Sequence, residues 1–426
     1  IYDEATAAQF VFLYAEIKER YQKNVKDYFD FYGKVRSDLK DYDKKSLTVG
    51  SVDIGAGTTD VMIAAYKYKD DSGQCTISPV PLFWESFYFA GDDLMKRLVQ
   101  LLIIEGRNSP IEQKLKQLGK NPVDIANILE PFFGGNTGVS FRNRRLKSDF
   151  NLQVSVPIVL CFLELLKENK EDSILTYSEI FETNPPTQAV LTHFKDNFGF
   201  ELSDIQWTYK KKIIADIVEK TFDSLIGKIS ALLSYYDCDI VLLSGRPTSL
   251  KPISDLFLKY YAISPNRLKS MNDYRVGRWY PHDKRYPFIN GNGKFINPKS
   301  IVTTGAMIGY IAQNGTLNGF GLDLSELKEK LLPTTYFFGK LNDDSLKYLN
   351  TIISPDHNQV TVDVSALPYR LGVRQIDVSA YPSRPFYTFD FNDHNIEDRV
   401  LGRFEESEPP ANLVYQEIEK EKNKML

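Results

Sequence analysis

The residues best suited to chemistry lie together in one short segment, Asp53-Ile54-Gly55-Ala56-Gly57-Thr58-Thr59-Asp60. Glycine lets a backbone approach a phosphate closely and directs successive N–H groups into one anion-binding concavity. The two threonine hydroxyls add neutral donors. The two aspartates are suited to hold Mg²⁺ through water, since that ion prefers oxygen ligands and keeps much of its hydration shell. The alternative is a glycine-rich turn that binds nothing, but the flanking acids and threonines favour a phosphate and magnesium site.

Two β-strands position this segment. The runs 47–54 and 61–66 are rich in β-branched and apolar residues, and the glycine-rich turn between them predicts a hairpin. Further strand is expected within 75–90. Gly91-Asp92-Asp93 then begins a predicted helix, whose dipole favours acidic residues at this end. Gly91 and Asp92 are therefore either a simple helix start or a ligand contact.

A second candidate site follows a helix-to-strand unit in the middle of the chain. A long helix is predicted over about 209–235, and the apolar run 239–243 is typical of a parallel strand buried on both faces. The turn Ser244-Gly245-Arg246 comes directly after this strand. Such turns, at the carboxyl ends of parallel strands, are where α/β proteins bind ligands.

The remaining sequence predicts the domain organisation. We expect an interdomain helix region in 1–46, with helix over 3–40, and one α/β subdomain formed by 47–105 and 206–312. Between its two parts, residues 106–205 are predicted to form an inserted helical subdomain. Residues 313–426 are predicted to form a β-rich region with a charged tail, including strands at 360–364, 373–378 and 386–391.

Composition limits the classes of function. The chain has 426 residues, a formal net charge of −4 and 42% hydrophobic residues, which excludes disorder, collagen-like repeats and a bare coiled coil. The balanced charge argues against nucleic acid or an anionic membrane as the main partner. No run approaches the roughly 18 apolar residues of a membrane span. Three scattered cysteines favour a reducing compartment. We therefore expect a cytoplasmic location, with secretion of a longer parent protein left open.

The hairpin segment resembles the second phosphate motif of the superfamily that contains actin, DnaK-type chaperones, FtsA and sugar kinases. That motif has the form Asp-x-Gly-Gly-Gly-Thr-x-Asp, and in this sequence Ala56 replaces its middle glycine. The resemblance implies that ATP phosphates contact the turn from Gly55 to Thr59. It also implies that Asp53 and Asp60 serve catalysis by holding hydrated Mg²⁺.

Four further segments resemble the same superfamily in the expected order. Residues 3–8 are similar to the chaperones' Asn-Glu-Pro-Thr-Ala-Ala helix start, which implies that Glu4 orients the attacking water, or else is an ordinary first-turn acid. Residues 91–93 are similar to a Gly-Glu-Asp near the nucleotide, and the turn at 244–246 is similar to the adenosine motif. The helix predicted from residue 300 resembles the second interdomain helix, in which Gly305 would allow close helix packing.

The resemblance implies the second half of an actin/DnaK-like ATPase domain, with a ribonuclease-H-like mixed sheet flanked by helices. A first phosphate hairpin would belong to an N-terminal half of the same polypeptide, without which the chain should be a poor ATPase. More narrowly, segments 8–17, 52–63 and 89–93 resemble the bacterial SrfB virulence-factor family, large proteins whose later portion looks actin- or chaperone-like.

Three functions follow as expectations. The first is an ATP- and Mg²⁺-dependent conformational switch. The second is a non-catalytic interaction protein that keeps the fold and binds a protein partner through its C-terminal region. The third is a small-molecule kinase of the same superfamily. The proposed partner surface is aromatic: Tyr369, Tyr381, Phe386, Tyr387, Phe389 and Phe391.

Overall fold

The computed structural model describes most of the chain up to residue 329 and four short segments beyond it. The described residues are 4–36, 39, 44–71, 74–106, 108–133, 141–277, 279–281, 285, 287–295, 300–315, 317, 319–329, 337–341, 348–354, 369–374 and 384–389. Its α-helices are α1 Glu4–Tyr14, α2 Val25–Tyr32, α3 Gly91–Val99, α4 Pro110–Gln117, α5 Pro122–Phe133, α6 Phe141–Phe150, α7 Val156–Lys167, α8 Tyr177–Phe181, α9 Gln188–Phe198, α10 Lys211–Tyr235, α11 Lys251–Tyr260, α12 Ser300–Gln313 and α13 Ser325–Glu329.

The strands of the described residues form two larger sheets and one short pair. They are β1 Leu47–Ile54, β2 Thr59–Asp71, β3 Gln74–Phe87, β4 Ser173–Leu175, β5 Trp207–Tyr209, β6 Ile240–Ser244, β7 Leu268–Ser270, β8 Phe320–Leu322, β9 Phe337–Leu341, β10 Tyr348–Ile353, β11 Tyr369–Arg374 and β12 Arg384–Phe389. Three π-helical segments, Ala15–Arg20, Gln100–Ile104 and Asn151–Ser155, extend α1, α3 and α6.

A mixed six-stranded sheet forms the centre of the molecule, in the order β7-β6-β1-β2-β3-β8. β2 runs antiparallel to both of its neighbours, β1 and β3, whereas β6 lies parallel to β1 and β7 parallel to β6. All five residues of β6 are buried, as its continuous apolar sequence predicts. The expected mixed α/β class, with helices flanking a mixed sheet, is confirmed.

Alternating side chains of β1 enter two separate cores, because successive residues of a strand point to opposite faces. Val52 and Ile54 belong to a core that also contains residues of α3, α7 and α10. Leu47 and Val49 belong to a second core, on the side of α1 and α12. The face of any residue in β1 therefore follows from its position in this alternation.

The helix predicted over 3–40 is wrong as a single element. α1 and its π-helical extension end at Arg20, and α2 begins at Val25. Gln22 and Lys23 adopt positive φ angles of 49° and 71°, which ends the helix without a glycine. The Asn24 side chain then accepts a hydrogen bond from the Asp27 amide at 3.1 Å, and this cap starts α2.

α1 and α12 cross at very close range. A Cβ added at Gly305 would overlap the Ala7 carbonyl oxygen and lie 2.8 Å from the Ala7 Cα atom. The close packing expected at Gly305 is therefore present, and its partner is α1. Because only glycine fits this crossing, the relative position of the two helices is tightly constrained.

A buried charge cluster lies at the amino end of β6. The Asp239 side chain is fully buried and accepts a hydrogen bond from the Thr48 amide at 2.8 Å. Arg36 Nη2 lies 2.9 Å from Asp239 Oδ2, while the half-exposed Lys34 approaches Asp239 Oδ1 at 3.6 Å. Burial raises the pKa of Asp239, and the Thr48 amide, Arg36 and Lys34 oppose that rise. This acid is therefore neutralised within the protein.

The region 106–205 is mostly helical where it is described, containing α4 to α9. Among the described residues, one continuous helix, Asn143–Lys167, is long and apolar enough to cross a membrane. Its most apolar window has a mean hydropathy of 1.5 and is 39% buried. A single helix of this kind is weak evidence for a membrane span, because helices in the core of a soluble protein can be equally long and apolar.

The C-terminal strands form an antiparallel sheet in the order β10-β9-β11-β12. The strand expected at 386–391 corresponds to β12, and the one at 373–378 overlaps the end of β11. The strand expected at 360–364 lies outside the described residues, as do Tyr381 and Phe391 of the aromatic surface. β8, which comes from the same predicted C-terminal region, instead pairs with β3 in the main sheet.

Candidate functional site

The predicted hairpin is present with its turn exposed. β1 and β2 pair up to Ile54 and Thr59, and the Gly55 amide donates to the Thr58 carbonyl at 2.8 Å. Ala56 and Gly57 are exposed at the tip of the turn. A Cβ added at Gly57 would meet no atom within 4 Å, so a side chain at this position would have open space.

The first residues of α3 hold the turn from behind. The Gly91 amide donates to the Gly55 carbonyl at 3.0 Å, and the Asp92 amide donates to the Ala56 carbonyl at 2.7 Å. Asp93 caps the same helix by accepting from the Ala90 amide at 2.8 Å. The sequence suggested Gly91 and Asp92 as either a helix start or a ligand contact, and the structure shows that their amides bond to the turn. The exposed Asp92 side chain remains accessible.

This arrangement determines where the turn's own amides point. In a trans peptide the carbonyl of one residue and the N–H of the next point in opposite directions. Because the carbonyls of Gly55 and Ala56 face α3, the amides of Ala56 and Gly57 face away from it. Within the described chain, no backbone carbonyl accepts a hydrogen bond from either of these amides. Two successive amides of this kind on an exposed turn are available as donors to an anion.

The threonines of the turn differ in role. The Thr59 side chain is buried and donates to the Phe89 carbonyl at 2.7 Å, so it fixes the structure and is not accessible to a ligand. Thr58 is half-buried and its hydroxyl donates to Asp60 Oδ2 at 3.3 Å. On the other side of this carboxylate, the Ser86 hydroxyl donates to Asp60 Oδ1. Asp60 is therefore oriented by two neutral donors.

The polar side chains form a row across four adjacent strands. Ser244 on β6 pairs with Asp53 on β1, Asp53 pairs with Asp60 on β2, and Asp60 pairs with Ser86 on β3. Paired residues of neighbouring strands project from the same face, so this Ser244-to-Ser86 row spans about 14 Å at the usual strand spacing. In the described part of the chain, no Lys, Arg or His forms an ion pair with Asp60.

α1 begins beside this row. Ser51, two residues before Asp53 and on the same face of β1, donates a hydrogen bond to the Ala5 carbonyl at 3.2 Å. Gln9 adds a second connection, because its amide nitrogen donates to the Ser51 hydroxyl at 2.8 Å. Glu4 is the first residue of α1 and so starts the helix at this edge of the sheet. The position of its side chain lies outside the described residues.

The turn after β6 lies directly against the hairpin. Gly245 has a φ of +88°, and a Cβ added there would overlap the Ile54 carbonyl oxygen and lie 2.7 Å from Asp53 Oδ1. The Ser244 hydroxyl is buried without a hydrogen-bond partner in the described structure. Arg246 is exposed, and its carbonyl accepts from the Ser249 amide at 3.1 Å. The two predicted sites are therefore parts of one site.

Two residues of this site were missed by sequence reasoning, Ser86 and Asn272. Asn272 follows β7, and its side-chain nitrogen donates to the Gly245 carbonyl and to the Thr248 hydroxyl, each at 3.0 Å. Its signal was a single asparagine after a short strand, within a tract with little periodicity. Ser86 lies opposite Asp60 only because of a bulge between Ile63 and Ala64 that shifts the β2–β3 pairing.

The site therefore combines the amides of an exposed turn with two carboxylates, Asp53 at the carboxyl end of β1 and Asp60 at the start of the antiparallel β2. Both lie beside the carboxyl end of β6. Amides of this kind bind an anion, and the carboxylates are suited to a hydrated divalent cation. This edge of the sheet is where ligands of α/β proteins usually bind. The fold and the site together define a mixed α/β protein with a candidate ligand site at this edge.

The chain belongs to the SrfB family: the family model described as Virulence factor SrfB matches residues 1–424. The narrower of the two resemblances is thus confirmed, and it extends over nearly the whole chain. No curated protein is significantly similar to the chain. The wider resemblance to actin and DnaK-type chaperones stays a prediction.

Proposed function

We propose that the protein binds a magnesium nucleotide at the Ser244-to-Ser86 row, as the second half of an actin/DnaK-like ATPase module. The observation that carries this proposal is the turn at 55–58, in which the Gly55 and Ala56 carbonyls bond to α3 while the amides of Ala56 and Gly57 point away from it and bond to no described backbone carbonyl. An anion of phosphate size fits such amides.

The carboxylates explain why the ligand should carry its own cation. Asp53 and Asp60 lie directly across from each other beside the turn, so a free polyphosphate would be repelled by them. A hydrated Mg²⁺ between phosphate and carboxylates converts this repulsion into attraction. Since the described residues supply no cation to Asp60, a bound metal ion is the natural source of positive charge.

The assigned roles follow from these positions. The turn from Gly55 to Thr58 holds phosphate, and Asp53 and Asp60 hold hydrated Mg²⁺. Gly245, with Arg246 at the exposed side, contacts the nucleoside, while Ser244, whose hydroxyl is buried, supports this turn from inside. Glu4, at the start of α1, orients the attacking water. Thr59 supports the turn from inside rather than contacting ATP.

In this proposal the protein is a conformational switch that nucleotide binding controls. α1 is tied to β1 by Ser51 and Gln9 and to α12 by the crossing at Gly305, so it forms one body with the site. A nucleotide held between this body and a second half would shift an open-to-closed equilibrium by its differential affinity for the closed form. Ala56 replaces the middle glycine of the phosphate motif that the turn resembles. Because its methyl group would crowd the phosphates, we expect slow turnover.

The direct test is calorimetric titration of the protein with Mg-ATP and, separately, with ATP in excess EDTA. We expect binding only with Mg²⁺ and at least a tenfold loss of affinity in Asp60→Asn, because the variant removes one cation-binding carboxylate. Asp70→Asn is the matched control, since Asp70 lies at the far end of the same strand. Absence of binding heat in the unmodified protein would refute the proposal.

Product analysis then separates the three candidate functions. Phosphate release without an acceptor supports an ATPase, and transfer that needs an added alcohol or sugar supports a kinase. Binding with neither product supports a non-catalytic protein that retains nucleotide as a structural ligand. A Glu4→Gln variant that binds Mg-ATP normally and releases phosphate more slowly would support the role of Glu4.

A further inference from the structure

The turn that follows β6 is braced by a residue from the neighbouring strand. The Gly245 carbonyl accepts from the Thr248 hydroxyl at 2.8 Å and from the Asn272 side-chain nitrogen at 3.0 Å. The same nitrogen donates to the Thr248 hydroxyl oxygen at 3.0 Å. These three groups form a closed triangle, which we call the Asn272 brace.

The orientation of the asparagine amide is fixed by its surroundings. Both neighbouring atoms are oxygens that accept a hydrogen bond, so the amide nitrogen faces them, whereas a flipped amide would place oxygen against the Gly245 carbonyl. The backbone is equally fixed, because the buried Met271 donates its amide to the Leu243 carbonyl at 2.8 Å. Asn272 therefore acts from a rigid position.

The Asn272 brace holds a turn that is contacted closely on both sides. Gly245 lies against the Ile54 carbonyl and Asp53 Oδ1 on one side, while Asn272 holds its carbonyl on the other. Asn272 is more distant along the sheet from the glycine hairpin, since β6 separates β7 from β1. Its influence is thus directed to the end of the site opposite Ser86.

We infer that Asn272 is a positioning residue for the nucleoside end of the ligand, setting the place of the 244–248 turn without holding the phosphates. This inference rests on the proposed nucleotide function. It assigns the two unpredicted residues to opposite ends of one ligand. Asn272 serves the nucleoside and Ser86, through Asp60, serves the metal and phosphates.

The test compares two ligands that share phosphates and differ in the nucleoside: Mg-ATP and Mg-tripolyphosphate. We expect Asn272→Ala to weaken Mg-ATP about tenfold, the effect of losing one well-placed contact, and to change Mg-tripolyphosphate by less than about twofold. Asn272→Asp should weaken Mg-ATP at least as much, because its carboxylate faces the Gly245 carbonyl. Ser86→Ala should weaken both ligands by similar factors.

A matched control is Asn314→Ala, which removes a similar hydrogen bond, from the Asn314 side chain to the Tyr310 carbonyl at 2.7 Å, at the end of α12. It should leave both affinities unchanged. Hydrogen exchange without ligand adds an independent measurement. The amides of Ser249 and Leu250, which close this turn, should exchange several-fold faster in Asn272→Ala.

The outcomes separate the two proposals. If the unmodified protein binds neither ligand, the proposed function fails and this inference fails with it. If it binds Mg-ATP and Asn272→Ala loses neither ligand, or loses both equally, the inference alone is overturned. Unchanged exchange at Ser249 and Leu250 would also overturn it, whatever the affinities.

Discussion

The central sheet carries buried or half-buried acids at two opposite edges, and these acids differ in their partners. At the amino end of β6, Asp239 is fully buried and has Arg36, Lys34 and the Thr48 amide as partners. At the opposite end, Asp60 receives hydrogen bonds only from hydroxyls among the described residues. The first acid has charged partners within the protein, whereas the second has no charged partner among the described residues.

The two acids therefore differ in the charge of their partners: Asp239 is paired with cationic side chains, and Asp60 is held by neutral hydroxyls. The ion pair between a buried acid and an arginine is costly to break, and the acid needs no ligand to supply its counter-charge. An acid oriented by neutral donors keeps its negative charge available. The comparison predicts that equal changes at the two ends affect different properties: stability at the amino end and ligand binding at the carboxyl end.

The largest effect on stability is expected from Arg36→Ala. This change leaves Asp239 buried without its main partner and should lower the free energy of unfolding by about 3–5 kcal/mol, measured by urea denaturation. The loss should grow as pH rises from 4 to 8. Removing Arg36 raises the folded-state pKa of Asp239 further above its unfolded value, and an acid with a raised folded pKa loses stability as pH increases.

Lys34→Ala is the matched control, since the Lys34 side chain is 49% exposed. It should cost less than about 1 kcal/mol. If both variants lose the same small amount, the cluster at Asp239 is not the internally neutralised site that the geometry indicates.

An intermediate effect is expected from Gly245→Ala. The new methyl group would overlap the Ile54 carbonyl and force an unfavourable positive φ, so we expect a loss of about 1–3 kcal/mol in unfolding free energy together with loss of Mg-ATP binding. Gly57→Ala at the open tip of the turn should change the free energy of unfolding by less than about 0.5 kcal/mol. Equal destabilisation by both would contradict the close contact between the two turns.

The smallest effect on stability is expected from Asp60→Asn. The amide oxygen can still accept from Thr58 or Ser86, and repulsion from Asp53 is removed, so the unfolding free energy should change by less than about 1 kcal/mol. The same variant is expected to show a large loss in the Mg-ATP titration. A loss of several kcal/mol in stability would instead make Asp60 a structural acid like Asp239.

The parts of this fold that were predicted correctly depend on local sequence. The hairpin follows from glycines between two apolar runs, α3 from its acidic first turn, and β6 from a continuous apolar run after a long helix. The break in the helix predicted over 3–40 was missed because Gln22 and Lys23, which are not glycine, adopt left-handed conformations there.

The site residues that were missed depend on strand register and tertiary packing. Counting the β2–β3 pairing back from Asp71 and Gln74 would place Glu85 opposite Asp60, but the bulge moves Ser86 into that place. Asn272 reaches the Gly245 turn only through the pairing of β7 with β6, two strands whose adjacency is not encoded locally. Periodicity cannot reveal either contact.

The attachment of the 55–58 turn to α3 gives the site a mechanical connection to distant parts of the protein. The Gly91 and Asp92 amides donate hydrogen bonds to two carbonyls of the turn, so a tilt of α3 would move the turn with it. Through the π-helical segment ending at Ile104, this rod is about 20 Å long and leads toward the helical region beyond residue 106. A ligand bound at the turn would thus affect the position of that helical region. In return, a displacement of that region would weaken binding of a ligand at the turn.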